Sequence, residues 1–411
     1  MHVLQVCFRV PYPPHDGGAI AMYGVVVGLA AAGHRVTVLA ANTPKHRQPA
    51  DALAHLGPNV HLVAVDVDTN LSPWRALRNL LFSRLPYNVE RFINEKLTAA
   101  LVKILNQEPV DVIQFEGTFV AWYNERLAKE GLIPAGTATV LRTHNIEHTI
   151  WEMLAGRPGN PLKNWYLTKL AARLRRFEYQ YLRRFDAVAA ITAADAQRLR
   201  ALGCPEPLVC IPAGVDLTQF QPDAATKAKP RTLFLIGSLN WLPNQEAVKW
   251  LLREIWPAVR AEMPDVELHI AGSGAPAALL QTPPANVFFH GFVASAPAFM
   301  QQYELMLVPL MSGGGMRVKI VEGMALGKAI LSTSLGAEGI AGRDGENLLL
   351  RDGAPAWLDV LRAWHRGEVP VGSLGQQAAA TAAALYDNRR VTEQFAALYA
   401  RIRRPVAAPT L

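Results

Sequence analysis

The sequence predicts an α/β protein made of two doubly wound parallel sheets, and three observations carry that prediction. Apolar runs of strand length alternate with longer helical stretches along nearly the whole chain, the signature of successive βαβ units. The alternation lapses once, in the polar stretch 224–230, and then starts afresh at Thr232. Glycines stand where strands hand over to helices, at Gly17-Gly18 and again at Gly313-Gly314-Gly315; in open α/β sheets such crevices are where ligands bind.

In the first half, residues 3–8 form a strand, and RVPYPPHDGGAI follows as a proline-stiffened loop ending in Asp16-Gly17-Gly18. A helix over 19–32 is stopped by Gly33, and residues 35–40 return as the next strand. Residues 60–65 are a strand closed by Asp66-Val67-Asp68; the DxD triplet suits a divalent metal under a diphosphate but more simply caps the strand. Residues 71–105 read as one helical, basic stretch with Trp74 and Phe82 among Arg75, Arg78 and Arg84, either packed on the sheet or lying on a membrane surface. Strands at 110–115 and 137–143 follow, with Glu116-Gly117-Thr118 at the end of the first.

The second of these strands delivers His144-Asn145-Ile146-Glu147-His148. HxxEH is an inverted zinc-hydrolase motif, and it needs both histidines on one helical face. Because the string begins at a strand end, a crevice-facing His144 that contacts substrate is the better reading. Residues 164–185 are basic and aromatic, most simply a solvated face. A strand at 186–191, a helix at 192–202 and a strand at 208–211 complete the first half.

In the second half, LFLIG is a strand leading into Gly237-Ser238 and a loop with Asn240 and Trp241. A helix over 247–263, a strand over 266–271 ending at Gly272-Ser273-Gly274, and a strand into His290-Gly291-Phe292 come next. Ala277 stands where a dinucleotide fingerprint needs its third glycine, so a nicotinamide site is not expected. The central unit is the strand 305–310, the glycine loop, a helix over 316–326 ended by Gly327, and the strand from Ala329 to Ser332. A glycine loop feeding a helix N-terminus makes an anion site. Arg317 and Lys319 fall in the first turn, where cations oppose the helix dipole, which points to a bound polyanion such as a diphosphate. Residues 389–403 form a final amphipathic helix.

Bulk properties narrow the partners. The chain has 411 residues, half of them hydrophobic, and a formal charge of +7, which suits nucleotides or anionic lipid surfaces. Cys7, Cys204 and Cys210 show no metal spacing and leave one thiol over, as in a reducing, cytoplasmic compartment. Met1 runs straight into a strand pattern, so a signal peptide is not expected. No nucleic-acid partner is expected, and oligomeric state is not legible.

These pieces together resemble the retaining GT-B glycosyltransferases of the group-one glycosyl transferase family. The resemblance runs through PYPPHDGG, GHRVTVL, IPAGVD, LFLIGSLNWLPN, IAGSG and FFHGFV, and is strongest in SGGGMRVKIVEGMALGKAILSTSLGAEGI. It implies two Rossmann-like domains facing across a cleft: an acceptor domain over 1–213, a linker over 214–231 that flexes near Ala224, a nucleotide-sugar donor domain over 232–385, and a crossover helix over 386–405 returning to the first domain. By resemblance, Gly17, Gly18, Gly237, Ser238, Asn240, Gly272, Gly291, Phe292, Gly314, Gly315, Arg317, Lys319 and Glu322 bind the donor. Asp16, Glu116 and Asn145 face the acceptor, and His144, Arg317 and Lys319 serve catalysis.

Glu322 matches the second of the family's two glutamates, whose role is to hold the ribose hydroxyls; Gly314 occupies the place of the first. The family's basic pair after the first strand of the donor domain is replaced by Gly237-Ser238-Leu239-Asn240, leaving Arg317 and Lys319 as the candidates for the diphosphate. The implied activity is metal-independent, cofactor-free transfer of a sugar with retention to a saccharide or lipid-linked acceptor in surface polysaccharide synthesis, in the cytoplasm or peripherally on the inner membrane face. A sugar-nucleotide epimerase of the same fold, a zinc hydrolase using residues 144–148, and a binding module without turnover are the alternatives.

Overall fold

The structure, a computed structural model, describes residues 1–223 and 226–403. They divide into two compact units, one comprising 1–213 with the chain from Arg389 onward, the other 214–388.

Among the described residues the first unit holds a seven-stranded parallel sheet. Its strands are β1 (His2–Cys7), β2 (Arg35–Asn42), β3 (Val60–Asp66), β4 (Val112–Glu116), β5 (Ala138–Thr143), β6 (Ala187–Ala190) and β7 (Leu208–Cys210), in the order β3-β2-β1-β4-β5-β6-β7. The second unit repeats the plan with β8 (Lys229–Ile236), β9 (Glu267–Ala271), β10 (Val287–Gly291), β11 (Tyr303–Val308), β12 (Ala329–Ser332) and β13 (Leu349–Leu350), in the order β10-β9-β8-β11-β12-β13. In each sheet the winding reverses after the third strand. The fourth strand lies against the first, and the crevice between β1 and β4, or β8 and β11, is the topological switch point.

Both faces of both sheets are covered, so the strands are apolar on alternate sides. Leu4, Val6, Leu39, Ile113, Phe115 and Leu141 fill one face of the first sheet. Val3, Cys7, Val36, Val38, Val112 and Val140 fill the other. In the second unit Leu233, Leu235, Leu268, Ile270 and Leu305 oppose Phe234, Ile236, Met306 and Ile330 in the same way. The C-terminal helix, Asn388–Ile402, places Val391, Phe395, Leu398 and Tyr399 in the core on the second face of the first sheet.

Several elements differ from expectation. The stretch 71–105 is three helices, Pro73–Phe82, Tyr87–Glu90 and Glu95–Gln107, because Pro86 interrupts the first and Asn94 caps the third through its side chain. The helix of the central unit is Val318–Ala325, two residues shorter at its start, with Arg317 as its N-cap. Helices Trp122–Lys129, Ala354–His365 and Val371–Leu385 have no counterpart in the expectation. Ala224 and Ala225 lie outside the described residues, and with them the proposed flexing point; Lys229 already pairs in β8. No described helix is long and apolar enough to cross a membrane.

Candidate functional site

In the second unit the chemistry gathers at the carboxyl ends of β8, β9 and β11. Gly237, Gly272 and Gly291 end β8, β9 and β10, joined by Gly237 N–H to Ala271 O at 3.0 Å and Gly272 N–H to Gly291 O at 2.7 Å. The strand ends lie so close that a Cβ on Gly272 would stand 2.0 Å from Gly237 O. Only glycine fits there. A Cβ on Gly237 would stand 3.2 Å from Lys319 Nζ and 2.9 Å from Asn244 Nδ2. The bare backbone of Gly237 thus borders an ammonium.

Lys319 donates from Nζ to Asn244 Oδ1 at 2.9 Å, and Asn244 Nδ2 donates to Ser238 O at 2.8 Å. Burial, then the nearby Arg317 charge, push the Lys319 ammonium down to about 7. One turn on, burial pushes the Glu322 carboxyl up to about 7 against the opposing pull of Lys319. Each group is half-buried at its own surface, and the pull of each on the other is too weak to offset burial. A bound anion beside Lys319 and hydroxyl donors beside Glu322 would stabilise both charges.

Arg317 is placed differently from expectation. Only 4% of it is exposed. Its guanidinium donates to the carbonyls of Gly314 and Gly315 and lies 5.6 Å from the centre of the Trp241 ring. It braces the glycine loop as well as adding charge, and Gly314 is held through its carbonyl. Trp241, 40% exposed, covers Gly313, where a Cβ would meet the indole at 2.8 Å. Ser312 donates to Glu246 Oε2 at 2.8 Å and pins the start of that loop. Asn240 packs its amide over Gly274, and Phe292 is exposed beyond β10. Asn244 and Ser312 were not singled out from sequence, and Trp241 was named only as part of its loop. The signal was the Trp-Leu-Pro-Asn string, which opens the helix Leu242–Trp250 and drops Asn244 into its first turn.

In the first unit the switch point holds a second constellation. Asp16 caps the helix Gly17–Ala31 by accepting from Ala19 N–H at 3.1 Å, and the same oxygen accepts from Arg9. Burial raises the Asp16 carboxyl, but Arg9 and the backbone donor outweigh it and hold it below its ordinary value. Gly17 and Gly18 open that helix. A Cβ on Gly18 would stand 3.4 Å from Arg9.

At the end of β5, His144 donates from Nε2 to Glu116 Oε2 at 2.7 Å, with 10% of the His144 side chain and none of Glu116 exposed. This corrects the acceptor role expected of Glu116. The carboxylate stands wholly inside, behind the imidazole, and Gln5 and Gln114 both donate to its other oxygen at 2.6 Å. Burial raises its carboxyl, but His144, Arg142 and the amides prevail and leave it lowered. Asn145 makes a long contact to Glu147 Oε1 at 3.4 Å.

The HxxEH string does not form the zinc arrangement. The helix begins only at Glu147, so His144 and His148 do not share a helical face. His148 Nδ1 instead bonds Glu178 Oε2 at 2.6 Å, and the amides of Glu147 and His148 donate to the same carboxylate. Asp66 and Asp68 of the DxD triplet bond Arg47 and Arg75 at 2.8 and 2.9 Å.

Comparison with known proteins places the chain in a family. Residues 15–219 match the Glycosyltransferase Family 4 description and residues 230–364 the description Glycosyl transferases group 1. An uncharacterized 44.6 kDa protein in the cps region of Klebsiella pneumoniae is 21% identical over 359 residues, covering 85% of this chain and 87% of that protein. Among solved structures, sucrose-phosphate synthase from Thermosynechococcus elongatus superposes with a TM-score of 0.72 at 17% identity, covering 98% of this chain and 99% of the other. Anabaena HepE, solved in complex with UDP, gives 0.68 at 15% identity over 98% and 100% of the two chains. The catalytic domain of starch synthase IV from Arabidopsis thaliana, bound to ADP and acarbose, gives 0.65 at 12% identity over 98% and 99%. The two parallel sheets are those of the GT-B glycosyltransferases, one family description matches each unit in chain order, and the chain belongs to the group 1 glycosyl transferases.

Proposed function

We propose that this transferase moves a hexose from a nucleotide diphosphate sugar to a saccharide or lipid-linked acceptor, with retention of anomeric configuration and without a metal. The observation that carries the reading is the enclosed Lys319 at the β8–β11 switch point, bordered by Gly237, Asn244 and Arg317. A diphosphate seated there meets an ammonium, a nearby guanidinium and the N-terminus of the helix Val318–Ala325. Charge developing on a departing diphosphate is what such a preorganised site stabilises. In this reading the cations supply the charge that a divalent metal supplies elsewhere, and Glu322 takes the ribose hydroxyls. The acceptor hydroxyl attacks from the leaving-group face and passes its proton to a phosphate oxygen. HepE, crystallised with UDP and with UDP-glucose, supports a nucleotide sugar as donor, and the Klebsiella relative supports a place in surface polysaccharide synthesis.

The test is thermal shift with UDP, GDP, dTDP and ADP, each with and without EDTA. One nucleotide stabilises the protein, EDTA leaves the shift intact, and Glu322→Ala removes it. A shift that needs a divalent cation would overturn metal independence, and no shift with any nucleotide would overturn the donor site. Lys319→Ala lowers turnover by about 10²–10³-fold, the scale of losing one transition-state charge partner, with little change in acceptor KM. Equal effects on both would remove the leaving-group role. An epimerase would instead convert the donor with no acceptor present.

A second part of the reading is peripheral contact with an anionic membrane at the cytoplasmic face. The helix Pro73–Phe82 is turned inside out: its buried residue is Asn79, while Trp74, Leu77, Leu81 and Phe82 are exposed, with Leu71 just before it. Arg173 and Glu90 hold Asn79. An apolar face presented to solvent among Arg75, Arg78 and Arg84 suits the headgroup boundary of an anionic bilayer.

A further inference from the structure

The first unit contains a continuous buried chain of polar groups that the transfer chemistry above does not use. Tyr399, on the C-terminal helix, donates its hydroxyl to Gln114 Oε1. Gln114 Nε2 donates to Glu116 Oε1 at 2.6 Å, Gln5 Nε2 donates to the same oxygen at 2.6 Å, and Glu116 Oε2 faces His144 Nε2 at 2.7 Å. Every one of these side chains but His144 has essentially no exposure, and His144 has little. A carboxylate sunk this deep is costly unless it is neutralised and saturated with donors. Here Arg142, also fully buried and fixed by the carbonyls of Ala21 and Pro212, supplies the charge.

The donor count fixes the protonation pattern. Both amide groups present N–H to Glu116 Oε1, so that oxygen accepts only. Arg142 and the amides favour the ionised carboxylate, so Oε2 accepts as well. The proton on the His144–Glu116 bond therefore sits on His144 Nε2, which in the neutral ring makes Nδ1 the lone-pair nitrogen. His144 Nδ1 is itself buried and has no hydrogen-bond partner among the described residues. Phe8 packs edge-on against the ring at 6.1 Å, and Gly117, held at φ +84°, borders its Cδ2 side.

We propose that Glu116 is a positioning residue which, braced by Gln114 and Tyr399, locks His144 in the Nε2–H tautomer and presents Nδ1 as the acceptor for a sugar hydroxyl. The proposal deepens the transferase reading, on which only its sugar hydroxyl rests; the tautomer lock stands apart from it. It also gives the C-terminal helix a task beyond covering apolar surface, since its Tyr399 is the far end of the brace.

The lock is tested in the full chain without ligand, by long-range ¹H–¹⁵N correlation of ¹⁵N-histidine, with His144→Gln assigning the resonance. Wild type shows the Nε2–H tautomer. In Glu116→Gln the new amide turns its N–H₂ toward the ring, because its oxygen is claimed by Gln5 and Gln114, and the proton moves to Nδ1. Turnover with the nucleotide sugar chosen by the thermal-shift panel then falls by about 10²–10⁴-fold, the range a wrong tautomer costs, with donor KM within about threefold. Tyr399→Phe removes one hydroxyl and keeps the packing. It gives a mixture of tautomers and a fall of about three- to tenfold, and it decides the matter if Glu116→Gln does not fold. An Nε2–H signal unchanged in both variants, or a wild-type Nδ1–H signal, overturns the lock. The expected tautomer change with undiminished turnover overturns the role of Nδ1 alone, and a panel without any nucleotide shift overturns the transferase reading while leaving the lock standing.

Discussion

Lys319 and Glu322 sit one turn apart, each displaced toward pH 7 by burial, Lys319 from above and Glu322 from below. The consequences have opposite signs. The Glu322 contribution to stability is present below its unfolded value and is lost as pH rises through about 7. The Lys319 contribution is present above its unfolded value and is lost as pH falls through about 7. The pair therefore places a local minimum of stability near neutral pH in the ligand-free protein. Glu322→Gln should raise Tm at pH 7.5, by about 2–4 °C for each kcal/mol relieved, while the nucleotide-induced shift shrinks. A Tm lowered at that pH would show that the carboxylate is already satisfied. A diphosphate beside Lys319 restores its charge, so binding at pH 7.5 takes up a fraction of a proton. Calorimetry in buffers of different ionisation enthalpy reads this directly, and Lys319→Met should abolish the uptake.

Elements explain why some of this was legible and some was not. The glycine loop, Lys319 and Glu322 lie on one contiguous strand–loop–helix, so spacing alone brings them together. Asn244 and Trp241 reach the same place from the strand next door, and Glu116, expected by resemblance to face the acceptor, ends a strand whose neighbours bury it completely. The parallel order of the sheets was readable from the alternation of periods, whereas the break at Pro86 was hidden by a helical pattern that continued across it. Two predictions belong here. Gly272→Ala puts a Cβ 2.0 Å from Gly237 O at φ +152°; it should destabilise the second unit by about 3 kcal/mol or more, seen as a lower urea midpoint at unchanged m. On the helix Pro73–Phe82, the double substitution Trp74→Glu, Phe82→Glu should cut co-sedimentation with vesicles containing anionic phosphatidylglycerol by about tenfold or more, leaving the fold intact because both side chains are about 80% exposed. Equal sedimentation of wild type and variant would dismiss the membrane contact.

At the scale of the whole chain, the first unit is discontinuous and the second is not. The sheet built by residues 1–213 has one face that the C-terminal helix helps to cover through Val391, Phe395, Leu398 and Tyr399, with Phe395 and Tyr399 fully buried and the Arg142 guanidinium 4.9 Å from the Phe395 ring. Without the C-terminal helix, that face would expose apolar surface, a buried arginine and the Gln114 end of the His144 brace together. Phe395→Ala should accordingly cost about 3–5 kcal/mol in the first unit, and residues 1–213 expressed alone should fail to fold cooperatively. The chain also supplies the remedy. Val215 and Asp387 lie side by side, with Val215 N–H bonded to Tyr386 O at 2.8 Å and Asn388 N–H to Val215 O at 3.1 Å, so the two ends of the second unit lie together. Excising 216–386 and joining the ends through a short flexible linker should therefore restore a cooperative first unit carrying the C-terminal helix, while 214–388 folds by itself and retains nucleotide-dependent stabilisation. Circular dichroism of the three pieces through a urea titration decides it: if 1–213 alone unfolds at the same midpoint as the rejoined piece, the helix is a passenger, and its tie to His144 carries no folding energy.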